Sequence, residues 1–323
     1  MTTVIFTCAG QRAEIVRAFS QAGAATIAAD AGELAPALYV ADIAAKLPLA
    51  SAPDYIAALQ QLILEHQADL VLPLTDLDPE LLARERDRLD ALVLLPEAEV
   101  VARGQDKLSA HEFLTAAGIG SPATWHPDEL PADPQFPLFV KLRHGSAAKQ
   151  VATAHDARQL RVLLELMEDE AIVQELLTGE EYSIDVFCDL DRRCLNAIPR
   201  TMIESKGGES IKGMTIGDEE LIAFGQQVAE TFGVVGPATI QCFRDERGPL
   251  VTDINFRFGG AFPLPTAAGS RYPEYALALA RGENLEPCVG EFERDVLFSC
   301  YPTHVLFKEG EEGLVPLAAE TAD

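Results

Sequence analysis

Hydrophobic positions along the chain change their rhythm near residue 105. Before it, short continuous apolar runs alternate with helical patterns. Thr3 to Gly10 is an apolar run closed by a glycine, and Ile15, Val16 and Phe19 then share one helical face. A second run, Ala24 to Ala29, stops at Asp30; helical periodicity returns over Tyr55 to Leu64, and Asp69 to Leu74 and Leu92 to Leu95 read as further buried strands. Such alternation predicts an open parallel sheet covered on both faces. After a helix predicted over 106–117, Gly118, Gly120, Pro122, Pro127, Pro131, Pro134 and Pro137 break the chain repeatedly before a strand over Phe136 to Leu142. Strand patterns follow at 171–174, 181–188, 193–201, 238–243 and 250–256, with one clear helix, Asp218 to Phe232, predicting an antiparallel α+β domain.

Charge narrows the function classes. The chain has 323 residues, 25 Lys+Arg against 51 Asp+Glu, and a formal net charge of −26. That excess repels nucleic acid and anionic membrane surfaces alike. No apolar run approaches the ~18 residues of a membrane span, and the N-terminus lacks a basic segment followed by a long apolar one, so a cytoplasmic location is expected. The six cysteines (Cys8, Cys188, Cys194, Cys242, Cys288, Cys300) form no C-x-x-C pair and are read as reduced thiols.

An acidic protein that handles an anion must gather its few cations in one place. Of seven lysines, Lys107, Lys141, Lys149, Lys206 and Lys212 fall within 107–212, beside glycines or strand ends. The run Phe139 to Lys149 passes from a buried strand through Lys141, Arg143, Gly145 and Ser146 to Lys149. Small loop residues there let backbone amides approach a phosphate, although the same residues would also make a hairpin tip. Farther on, Asp253, Asn255 and Arg257 alternate onto one face of a strand while Ile254, Phe256 and Phe258 take the other. A carboxylate and an amide oxygen suit magnesium, Gln241 on the preceding strand can add another oxygen, and arginine suits a transferring phosphoryl group. Taken alone, this strand also fits a solvated face. No G-x-G-x-x-G follows the first strand and no G-x-x-x-x-G-K-[ST] occurs anywhere, which disfavours a dinucleotide site and a Walker-type ATPase.

In order along the chain, Asp106-Lys107, Val140-Lys141-x-Arg143-x-Gly145-Ser146, Val173-Gln174-Glu175-Leu176-Leu177-x-Gly179-x-Glu181 and Asp253-Ile254-Asn255-x-Arg257 resemble the ATP-grasp superfamily, and within it the carbamoyl-phosphate-synthetase-like carboxylate–amine ligases. The resemblance implies a Rossmann-like domain over 1–105, a small ATP-grasp subdomain with its connecting helix over 106–177, and a large subdomain with the C-terminal tail over 178–323. It implies ATP contacted by Lys107, Lys141, Arg143, Gly145, Ser146 and Lys149, adenine lined by Glu175 and Leu177, and ribose accepted by Glu181. Gln241, Asp253 and Asn255 match the positions that hold Mg2+, for which Mn2+ can substitute. Arg257 and Lys206 match positions that face the transferred phosphoryl group, and Gly259 and Gly260 would offer amides to a substrate carboxylate. Arg271 is a candidate partner for that carboxylate and equally a surface charge.

The implied reaction activates a small carboxylic acid as an acyl phosphate and joins it to an amine, with release of ADP and phosphate. Homodimerisation is the expected assembly, two-fold oligomers being the commonest. Four positions depart from the family pattern: Asp253 stands for Glu, Phe256 and Leu142 for prolines, and Gln150 for a glycine. These departures motivate a second reading, a non-catalytic ATP-binding sensor or regulatory module.

Overall fold

The computed structural model describes residues 1–145, 150–206, 209–310 and 313–316. The chain forms two compact units, one comprising Met1–Leu95, Arg271–Leu285 and Cys300–Asp323, the other Pro96–Ser270 and Glu286–Ser299.

In the first unit, β1 (Thr3–Thr7), α1 (Ala13–Gln21), β2 (Ala25–Asp30), β3 (Ile43–Lys46), α2 (Tyr55–His66), β4 (Leu70–Pro73), α3 (Pro79–Arg84) and β5 (Leu92–Val93) build a sheet of order β3-β2-β1-β4-β5. Every pairing is parallel. The continuous apolar runs follow from helices covering both faces: Val4, Ile5 and Phe6 of the central strand are fully buried, as are Ile15, Val16 and Phe19 of α1. Phe6 meets Phe19 edge to face at 5.1 Å. Strand β3 escapes the apolar pattern because it is an exposed edge. The turn after β1 is tied by Asp30, whose carboxylate accepts the amides of Gly10 and Gly32, each at 2.8 Å.

The second unit begins with α4 (Ala98–Gln105) and α5 (Lys107–Ala116), then β6 (Thr124–Trp125), β7 (Leu138–Leu142), β8 (Ala152–Ala154), α6 (Ala157–Met167) and β9 (Ala171–Glu175). Its first sheet has order β6-β9-β7-β8 and is antiparallel throughout. Helix α6 packs on it through Leu160 and Met167, which join Leu138, Val140 and Val173 in one core. Only one helix beyond residue 142 is predicted from the sequence, and α6 is an addition. Its apolar stripe is obscured because Val162 and Leu166 point to solvent.

A second antiparallel sheet is made of β10 (Glu180–Cys188), β11 (Cys194–Thr201), then, beyond β12 (Glu204–Lys206), β13 (Glu209–Met214) and α7 (Glu219–Phe232), β14 (Gly236–Asp245) and β15 (Gly248–Asn255). Its order is β11-β10-β14-β15. Tyr182, Ile184 and Val186 face α7, which buries Leu221, Val228 and Phe232. The intervening residues Glu181, Ser183 and Asp185 therefore face away from the helix. Helix α7 lies so close to β10 that a Cβ at Gly225 would stand 2.5 Å from Ile184 Cγ2.

Alanine at 225 is the better helix former by about 1 kcal/mol, but the β-branched Ile184 side chain is stiff, and overpacking of a core costs roughly 1–3 kcal/mol. Gly225→Ala is expected to lower the melting temperature; a melting temperature at or above the wild-type value would show that the α7 contact yields without strain.

Candidate active site

The described residues singled out from the sequence lie in the second unit, apart from Arg271. Helix α5 begins at Asp106, which accepts the amides of Leu108 and Ser109 at 3.1 and 3.2 Å, satisfying two donors of the first turn. The same carboxylate binds Arg143 through two hydrogen bonds, from Nε at 2.8 Å and Nη2 at 2.6 Å. Arg143 is thus a clasp between the end of β7 and the start of α5. The clasp brings Lys107 beside the loop after β7, where its Nζ donates to the Gly145 carbonyl at 2.5 Å. Ser146 and Lys149 lie outside the described residues.

Lys141, one turn of pleat from the end of β7, is 7% exposed, and its Nζ donates to the Thr252 carbonyl of β15 at 3.3 Å. This bond joins the first sheet to the second. Burial pushes the Lys141 ammonium down to about 8, with neighbouring Asp253 opposing that fall and Lys107 adding to it. A small pocket is lined by Lys107, Asp253, Thr252, His111, Ser121 and Gln174. His111 meets Ser121 Oγ at 3.0 Å, and burial lowers its imidazole from the ordinary range.

Register places the second sheet's polar residues in two rows. Arg200, Ser183, Gln241 and Asp253 oppose one another across four strands, and Asp185, Thr239 and Asn255 lie side by side in the next row. Directly opposed residues of antiparallel strands share a face. Gln241, Asp253 and Asn255 consequently present two amides and a carboxylate on the face away from α7. Hard oxygen donors from one carboxylate and neutral amides fit magnesium, which keeps several waters and draws further ligands from substrate phosphates. Among the described residues no cluster of three or more His, Cys, Asp or Glu could form a dedicated metal cage.

Glu175, at the end of β9, is held from two sides: its Oε1 accepts the Ala123 amide at 2.9 Å and Arg247 Nη1 at 2.9 Å. Leu177 is half-buried just beyond it. Glu181 is half-buried on the polar face, its carboxyl raised by burial with Arg200 opposing the rise. Arg257 follows β15, its amide bonded to the Asn255 carbonyl at 2.9 Å and its Nη1 to the Phe258 carbonyl at 3.2 Å. Gly259 sits over Asp185 and Thr239, with Gly260 next to it. Lys206 is exposed at the end of β12. Arg271 belongs to the first unit, where its guanidinium lies 5.9 Å from the Tyr275 ring centre.

Three polar residues of this face, Asp185, Arg200 and Thr239, are 2–3% exposed and hydrogen-bonded together, and none was singled out from the sequence. The period-2 series Glu181, Ser183, Asp185 inside an apolar strand was the available signal.

Comparison with known proteins bears on the fold. Residues 167–297 match the family described as ATP-grasp in the biosynthetic pathway with Ter operon, and residues 4–94 match the PylC-like N-terminal domain. Residues 167–297 thus resemble an ATP-grasp domain and residues 4–94 a PylC-like N-terminal domain. The chain is 28% identical over 177 residues to a probable alpha-L-glutamate ligase of Xanthomonas oryzae pv. oryzae (strain MAFF 311018), covering 49% of this chain and 58% of that one. The chain therefore spans little more than half the length of such curated relatives. The biotin carboxylase domain of Hydrogenobacter thermophilus 2-oxoglutarate carboxylase, solved with MgADP, superposes with a TM-score of 0.75 at 15% identity, covering 99% of this chain and 83% of that one. An L-amino acid ligase from Bacillus licheniformis gives a TM-score of 0.69 at 17% identity, covering 87% and 74% respectively. No described helix is long and apolar enough to cross a membrane.

The Asp106 clasp generates a stability prediction. Burial alone would raise its carboxyl, but Arg143 and the α5 amides outweigh that and hold it at about 2, below the ordinary 3.8. Because the folded state has the lower pKa, the stabilisation is present above pH 3.8 and is lost as pH falls towards 2. Asp106→Ala is expected to destabilise the chain by about 1–3 kcal/mol at pH 7 in urea unfolding and to flatten the acid limb of the stability curve. An unchanged acid limb would remove the clasp's assigned role.

Proposed function

We propose that the second unit binds ATP between its two main sheets and uses it to join a small carboxylic acid to an amine. The observation that carries this reading is the buried Lys141 ammonium bridging β7 to β15 beside Asp253. A cation held out of water at the junction of the sheets, next to a row of oxygen donors, suits a metal-bound triphosphate. The glutamate-ligase relative and the amino-acid-ligase fold neighbour support an acid and amine of amino-acid type.

In this reading a carboxylate oxygen of the acid attacks the γ-phosphorus of ATP, the bond from γ-phosphorus to the β,γ-bridging oxygen breaks, and ADP leaves with that oxygen. The amine nitrogen then attacks the acyl carbon of the acyl phosphate, inorganic phosphate departs, and the nitrogen loses a proton to complete the amide. Carboxylate and triphosphate repel each other, so most of the rate comes from positioning and from cations aimed at the developing charge. Lys107 and Lys141 hold phosphate oxygens, Arg257 and Lys206 face the transferred group, and Ser146, Lys149, Arg143 and Gly145 belong to the phosphate loop and its support. Glu175 and Leu177 line the adenine, Glu181 accepts from the ribose, and Gly259 and Gly260 are assigned to the acid. Gln241, Asp253 and Asn255 would hold Mg2+ or Mn2+, which supplies charge neutralisation of the phosphates. A cytoplasmic homodimer completes the proposal.

An ADP-release screen with MgATP against pairs of amino acids, including L-glutamate, followed by mass spectrometry of the product, tests the reaction. Acid-dependent ADP formation is expected, and Arg257→Ala should retain nucleotide binding while losing that turnover. Binding without hydrolysis under every mixture would favour the sensor reading instead.

Lys141 gives a further test. It is protonated below about pH 8 in the free protein, and phosphate attraction is lost as the ammonium deprotonates above that value. Affinity for MgADP measured by calorimetry should fall as pH rises from 7 to 9.5, by up to about tenfold per unit beyond the titration. Lys141→Met should bind weakly and lose this dependence; a wild-type profile flat across the range would contradict the assignment.

A further inference from the structure

Beneath the turn that follows β15 lies a buried charged cluster that no recognised motif includes. Arg200 Nε donates to Asp185 Oδ2 at 2.8 Å, and Thr239 Oγ1 donates to Asp185 Oδ1 at 2.9 Å. Both charged side chains are almost wholly out of water, at 3% and 5% exposure. The guanidinium also lies against the Met202 sulfur, 3.8 Å from Nη1. Directly above, a Cβ on Gly259 would stand 2.7 Å from both Asp185 Oδ1 and Thr239 Oγ1 and 3.3 Å from Arg200 Nη2. The backbone at 259 thus rests on the cluster with no room for a side chain.

A buried ion pair is poor evidence for stability, because well-packed apolar residues often do as well or better. Its position supplies another reason for its presence. Arg200 is in register with Ser183, Gln241 and Asp253, and Asp185 with Thr239 and Asn255, so the pair is embedded in the two rows that carry the candidate metal donors. The turn it supports is short and closed, with the Phe262 amide bonded to the Gly259 carbonyl at 3.1 Å and Phe258 packed edge to face on Phe262 at 4.7 Å. Arg257 lies two residues before the seat. Any tilt of residue 259 is therefore transmitted to residue 257 through one intervening residue, while the amides of Gly259 and Gly260 move directly.

Resting on the proposed ligase reading and deepening it, we propose that Arg200, oriented by Asp185 and Thr239, is a positioning residue that seats the Gly259 turn and so aims Arg257 and the adjacent amides at the acid and the transferring phosphoryl group. Arginine is suited to this task because its planar fork can grip Asp185 through Nε while an Nη group lies against the turn; lysine, a compact point charge, cannot do both.

The test uses the full chain with Arg200→Lys and Thr239→Val, read by hydrogen exchange and by kinetics. In Arg200→Lys, peptides covering 256–262 should exchange at least about tenfold faster than wild type while those of β10 and β14 keep their protection. MgADP affinity should stay at the wild-type value, and kcat for acid-dependent ADP release should fall by about 100-fold, the loss expected when a reacting group is misplaced by ~1 Å. Thr239→Val should give the same pattern in weaker form, and it carries the exchange test if Arg200→Lys does not fold. Unaltered exchange over 256–262, or a loss of nucleotide affinity in step with kcat and melting temperature, would overturn the positioning role. If wild type releases no ADP with any acid, the ligase reading fails by itself, and exchange at 256–262 still decides whether the cluster seats the turn.

Discussion

The second unit depends on a charge kept out of water. Lys141 of β7 is buried, yet its ammonium has to be satisfied, and the Thr252 carbonyl of β15 does so. Desolvation of a lysine is unfavourable by itself, and partial relief comes from Asp253. A carbonyl and a carboxylate on β15 thus hold in place a side chain from the other sheet. The same bond fixes where the two sheets meet, so the electrostatic demand and the architecture have one solution.

Around that bond, each supporting contact removes a degree of freedom from a charged group. Asp106 caps α5 and grips Arg143, Lys107 reaches the Gly145 carbonyl, and Glu175 is pinned between Ala123 and Arg247. None of these groups is left to find its place when an anion arrives. Preorganisation of this sort is what electrostatic catalysis requires, since dipoles and charges that are already oriented undergo little rearrangement as charge develops. An overall charge of −26 makes the arrangement more telling, because cations in such a chain are scarce and several of them converge on one region.

The strands of the second sheet were legible because period-2 alternation survives in them: Tyr182, Ile184 and Val186 on one side, Glu181, Ser183 and Asp185 on the other. The parallel sheet was legible for the opposite reason, its strands being apolar on both faces. Helix α6 and strand β3 were not, since an exposed edge and a helix with solvent-facing Val162 and Leu166 leave little periodic trace. Arg143 carries a related lesson. Its neighbourhood suggested a phosphate contact, whereas in the structure its guanidinium is engaged by Asp106, thirty-seven residues upstream.

By itself the sequence determined the alternation of a parallel α/β layer with an antiparallel α+β region, the family resemblance, and which residue types stand on the strands beside β15. Those features are local or depend on order along the chain, and a linear pattern records them. Only the tertiary structure decided that Lys141 meets Thr252, that Asp185, Arg200 and Thr239 form one buried cluster, and that Gly259 lies against it. Cross-strand register and the folding back of a turn set those contacts, and both arise from packing between segments far apart in the chain, which no spacing of residues encodes.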